Sequence, residues 1–103
     1  MKLIEKLSDK ISEEISDGKH YAKMALEYKD ERPELARTLY AISTEEMGHM
    51  ARLHEAVAAI IEDYRRTNGE PPASMLAVYD YLHKQHIDKA AEVRNLQAMY
   101  KEG

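Results

Sequence analysis

At 103 residues the chain suits one domain and is too short for two independent cores. A net charge of −4, with acidic and basic residues interspersed, leaves no basic block for nucleic acid, and no apolar run nears the roughly 18 residues that span a bilayer. The absence of cysteine excludes disulfides and thiolate metal sites; Met1–Lys10 also lacks the apolar core of a signal peptide, so cytoplasmic residence is the default expectation.

Strong helix formers dominate the composition, Val is scarce, and Phe and Trp are absent, which predicts an all-α fold. Three helices are expected, over about 3–28, 33–66 and 72–100, within one domain of residues 1–103. Pro33 suits the first turn of the second helix, and Glu34 places a negative charge at its positive end. Thr67-Asn68-Gly69 is a stop signal, and Pro71-Pro72 restarts the chain. Helices this long joined by short turns should run antiparallel.

Apolar residues step by three and four along the first two helices. Helix one offers Ile4, Leu7, Ile11, Tyr21, Ala25 and Tyr28; helix two offers Leu35, Leu39, Ile42, Leu53, Ala56 and Ile60. Such spacing predicts the seam of a bundle. Helix three has a looser stripe of Met75, Tyr79, Leu82, His86 and Val93. The two seams are interrupted by Glu14 and Gly18 on helix one and by Glu46 and His49 on helix two. A carboxylate facing a core needs a partner. Folding the chain at residues 30–33 sets Glu14 opposite the stretch from Glu46 to His49, so two carboxylates and an imidazole should converge.

Glu46 and His49 are three residues apart, on one helical face, and can hold the same ion. Their oxygen and nitrogen donors suit iron, manganese or zinc better than magnesium or calcium. Gly18, one turn past Glu14, leaves room for a second ion, a water or dioxygen, or simply lets helices approach closely. Tyr21, two turns past Glu14, either lines the cavity and bonds a ligand or packs in the core. The bland reading of Glu46 and His49 is a hydrogen-bonded pair in an ordinary bundle.

Glu14 with Tyr21 seven residues on, followed by Glu46-Met47-Gly48-His49, resembles the first half of the ferritin-like superfamily, especially rubrerythrin-like and short encapsulated-ferritin-like chains. That resemblance covers about a third of the chain. It implies Glu14 and His49 as terminal ligands and Glu46 as a bridge between two metals, most simply a di-iron centre. It also implies a ferritin-like four-helix bundle. Only one helix follows the hairpin, so a second copy would complete the bundle, giving at least a dimer with four Glu and two His. Asp80-Tyr81-Leu82-His83 and His86 offer a partial imitation of the second motif, or an extra ion site. The cysteine-ligated iron domain usual in rubrerythrins is absent, and Asn95–Gly103 shows no typical encapsulin-targeting tail.

Glu13, Asp17 and Glu45 are expected in solvent, with Glu13 replacing Glu14 if the phase is off by one. His20 and His54 are expected at the surface, and the methionines in the core. Gly48 suggests a neighbouring helix pressing on it. Two functions from different classes follow. One is a non-haem di-iron protein, oxidising or storing ferrous iron or reducing peroxide, with no nucleic-acid or membrane partner. The other is a non-catalytic oligomeric helical module for an unknown protein partner, since the chain also looks like small ferritin-like proteins of bacterial genomes, some phage-associated. A monomeric three-helix bundle with a buried polar pair is the plainest alternative.

Overall fold

A computed structural model describes residues 2–102; Met1 and Gly103 of the expected domain lie outside the described residues. Three helices make up almost all of it: α1 Lys2–Tyr28, α2 Pro33–Asn68 and α3 Ala73–Glu102, with no strand among the described residues. Their ends lie within two residues of the positions marked by the punctuation in the sequence.

Each boundary has a local cause. At the first turn, the Arg32 amide donates to the Tyr28 carbonyl at 2.8 Å, and Pro33 opens α2, where a missing N–H costs nothing. No side chain caps α2; the Arg32 carbonyl takes the Ala36 amide at 2.9 Å. At the far end, Gly69 adopts φ +80°, a conformation costly for any residue with a Cβ, and its amide closes on the Arg65 carbonyl at 3.1 Å. The Pro72 carbonyl then accepts from the amides of Met75 and Leu76 to start α3.

The helices form a rod of 56 × 19 × 18 Å, its long dimension set by α2, whose 36 residues span about 54 Å at 1.5 Å each. α1 and α2 pack along their lengths, and α3 lies chiefly along α1. The core joins Ile4, Ile11, Ile15, Met47, Met50, Val57, Ile61, Ala90 and Val93. Toward the hairpin turn the buried residues, Leu39 apart, shrink to Gly18, Ala22, Ala25, Ala36 and Ser43. There Ser43 Oγ, fully buried, donates to the Gly18 carbonyl at 2.7 Å and accepts from Gln97 Nε2 at 2.9 Å, linking all three helices.

The seam differs in phase from the stripe expected from the sequence. The buried face of α1 is Ile4, Ser8, Ile11, Ile15, Gly18, Ala22 and Ala25, while Leu7, Glu14, Tyr21 and Tyr28 are only half-buried beside it. On α2 the buried face is Ala36, Leu39, Ser43, Met47, Met50, Val57 and Ile61; Leu35 and Ala56 are exposed, and Ile42, Leu53 and Ile60 half-buried. The cause is α3, which turns the best-covered face of the hairpin toward itself and leaves the counted stripe on the flank. The chain exposes 6898 Å², against about 5,900 Å² for a compact monomer of this size.

Candidate metal centre

Glu14 from α1 and Glu46 with His49 from α2 meet on that flank. Their ligand atoms all lie within 4.8 Å of one another, the single such group of three or more among the described residues. His49 Nδ1 is 3.5 Å from Glu14 Oε2 and 3.8 Å from Glu46 Oε2. Donors on one ion at bond lengths of about 2.0–2.2 Å stand roughly 3–3.5 Å apart, so small rotamer adjustments bring the three into coordinating range. The side chains of Glu14 and Glu46 are largely covered, whereas that of His49 is 52% exposed. The site therefore opens at the imidazole.

Glu14 Oε2 is buried and accepts no hydrogen bond. A buried oxygen with that much charge and no donor is costly, and the nearest groups are another carboxylate and an imidazole. Glu46 responds by holding a proton. Its carboxyl is pushed up to about 7, first by the adjoining Glu14 carboxyl, then by burial and the Glu14 charge; Asp17 adds slightly and His49 opposes. Near neutrality Glu46 thus tends to keep its proton, which a metal ion would displace. An orphaned buried oxygen, a carboxyl that retains its proton near neutrality and an exposed imidazole together fit a divalent cation.

The residues expected around this centre are arranged as follows. Glu14, rather than Glu13, faces Glu46; Glu13 is exposed and pairs with Lys10 at 3.2 Å. Asp17 and Glu45 are exposed. Gly18 lies against α2, where an added Cβ would come 3.0 Å from Met47 Sδ and 3.6 Å from the Ser43 carbonyl. Close helix approach is what this glycine permits, and Met47 takes the space in which an ion, a water or dioxygen was expected. Tyr21 is half-buried on the Glu14 side of α1. Around Gly48 a Cβ would meet nothing within 4 Å, so the expected pressing helix is not found.

One group of residues lies where the sequence reading did not put it. His54, expected at the surface, is half-buried and hydrogen-bonds through Nε2 to Nδ1 of His83 on α3, the rings 4.3 Å apart. Tyr79 also stacks on His83, the ring centroids 5.8 Å apart. His86, one turn on, is buried, and its Nε2 meets Ser12 Oγ at 3.0 Å. Burial and the nearby imidazoles hold both His54 and His86 below the ordinary histidine range. A signal was available: 47, 50, 54, 57 and 61 step by three and four, which places His54 on the core stripe of α2.

No helix among the described residues is long and apolar enough to cross a membrane. Compared with protein-family models, curated proteins and solved structures, the chain matches none.

Proposed function

We propose that this chain binds divalent iron through Glu14, Glu46 and His49, as half of a two-metal carboxylate centre that a second copy completes. The observation carrying this reading is the buried Glu14 Oε2, which accepts no hydrogen bond and faces Glu46 and His49. The same donors accept manganese or zinc.

Three ligand atoms leave an octahedral ion short of partners, and the open side of the cluster is the hairpin flank. Leu7, Tyr21, Ile42 and Leu53, half-buried, and the exposed Leu35 lie on that flank. Two copies meeting there about a two-fold axis would present the same patch to each other and supply four Glu and two His. Together the two hairpins would make a four-helix bundle of the ferritin-like kind. The excess exposed surface supports such a cover.

Bound iron would supply one-electron chemistry, with dioxygen or peroxide as the oxidant when ferrous iron is oxidised for storage, or with peroxide itself as the substrate reduced. Glu46 would release its proton as a cation arrives and help to hold the metal. Glu14 and His49 would serve as terminal ligands from the two helices, with the exposed imidazole side as the entrance. Half-buried on the same flank, Tyr21 would screen the ligands from solvent and orient them.

Anaerobic ferrous loading followed by desalting tests this reading. About one iron per chain, a mass of two chains by sedimentation, and loss of the iron in a folded Glu46→Ala variant are the expected results. Negligible iron, with manganese and zinc equally unbound, sinks it. A second reading, a non-catalytic helical module for a protein partner, draws on the exposed Val78, Tyr81, Ile87 and Met99 of α3. Full tolerance of Glu46→Ala in assembly, with no metal bound by the native chain, would favour that module.

A further inference from the structure

We propose that the first half of α3 is a lid, latched to the α1–α2 hairpin by His54, His83 and His86 and released in mildly acid solution. The two halves of this helix are held differently. The buried residues of α3 are His86, Ala90 and Val93, so every turn before His86 is half-covered or exposed. The second half is fastened by Ala90 and Val93 in the core, by Gln97 on Ser43 at 2.9 Å and by Tyr100 stacked on Tyr40 at 4.8 Å. Beneath the first half lies a cavity of about 270 Å³, lined by Ile4, Ile61, Met75, Tyr79 and Leu82 among others. A helix that covers unfilled space gains little from packing there.

Histidines supply at that level the hold that apolar packing supplies further on. His54 of α2 and His83 of α3 share a hydrogen between Nε2 and Nδ1, and His86 Nε2 meets Ser12 Oγ of α1 at 3.0 Å. Both joints depend on protonation. The ring pair needs one nitrogen with a free lone pair; once both rings are imidazolium, two N–H donors face each other and like charges touch. His86, only 6% exposed, would carry its charge into the interior, where Ser12 offers an oxygen but no countercharge. Lys89 and Arg94 of α3 add positive charge around the joints, and Glu55 of α2 opposes it. From α1, Lys19 beside Ser12 is paired with Glu92 of α3 at 3.2 Å. Tyr79, stacked on His83 and near Asp80, stays neutral throughout.

Burial, followed by the neighbouring imidazoles, holds His54 and His86 below their ordinary 6.5, with Glu55 pulling His54 back. Lifting the lid returns these rings to water, where they bind protons that the closed form refuses. Closure is therefore fully favoured above 6.5 and weakens as pH falls through the lowered values. This runs opposite to Glu46, whose contribution grows toward acid. Release bares the apolar residues around Ile4 and Ile61.

The chain contains no cysteine, so paired spin labels report the lid directly. Ala59→Cys with Lys84→Cys spans α2 and the lid, and Glu45→Cys with Ala98→Cys spans α2 and the fastened half, all at exposed positions. In the full chain with a chelator, lowering pH from about 7.5 to about 5 should lengthen the first distance by about 10 Å, one helix diameter, and leave the second unchanged. His54→Gln with His83→Gln should remove most of that dependence, and Glu46→Gln should leave it in place. No lengthening of the first pair, equal lengthening of both, an undiminished effect in the double histidine variant, or its loss in Glu46→Gln overturns the proposal. Should the double variant fail to fold, imidazole NMR of the native chain decides. The lid distance must follow the His54 and His86 rings, titrating below 6.5; a distance that follows the exposed His20 ring instead overturns the proposal.

Discussion

Replacing Glu46 by glutamine isolates the charge at the carboxylate centre. The side chain keeps its shape and gains an N–H that can satisfy Glu14, but it carries no charge at any pH. In the native chain the Glu46 carboxyl rises from 4.5 to about 7. A shift that large corresponds to about 3 kcal/mol in a dry site. About a fifth of the side chain is exposed, and solvent screening reduces the figure to about 1–2 kcal/mol. The folded value lies above the unfolded one, so this contribution is fully present below pH 4.5 and is lost as pH rises through about 7. Urea denaturation with a chelator, at fixed chain concentration, should find the variant close to native near pH 5. At about pH 8 the variant should be more stable, by about 1–2 kcal/mol. On adding ferrous iron at that pH, the native chain should gain stability and the variant should not. A variant less stable than native at both pH values, or a gap that does not change with pH, would refute the reasoning.

Three simpler substitutions test the scaffold, each read by denaturant unfolding. Gly48→Ala meets no neighbour within 4 Å in the middle of α2, so it should stabilise the chain by about 1 kcal/mol. Ser43→Ala removes two hydrogen bonds where all three helices meet, and should cost about 1–3 kcal/mol. Val57→Ala empties a site only 1% exposed and should cost about 2 kcal/mol, with no loss of metal bound at Glu14 and Glu46.

Helix count and ends were legible because Pro33, Gly69 and the Pro71-Pro72 pair act locally, through backbone geometry that no distant contact alters. The meeting of Glu14 with Glu46 and His49 was also legible, since folding a hairpin at a known turn fixes which levels face each other. Phase was not. Ile11, Leu39 and Ala25 belong to both the counted stripe and the buried face, and only the position of α3 decides between Glu14 and Ile15, or between His49 and Met50, for the interior. His54 escaped for the same reason: its stripe is interior only because α3 covers it. Gly18 had two readings that spacing alone could not separate, and the contact with Met47 separates them.

The two polar sites on α2 differ in what covers them, and that difference can be measured. His54 is covered by α3 of its own chain, and its donors are joined by the fold itself. Glu46 and His49 stand on a flank that no helix of this chain covers, with an imidazole half in solvent. On the proposed reading, a second copy supplies the missing ligands there, so metal binding and association must be linked: each strengthens the other by the same factor. Affinity at the carboxylate centre should therefore rise with chain concentration until the dimer saturates. Isothermal titration of ferrous iron into the native chain, at two chain concentrations about twentyfold apart, measures this coupling. A carboxylate centre whose affinity ignores concentration while the chain remains monomeric would mean that one copy binds its ion alone, and the shared two-metal arrangement would have to be abandoned.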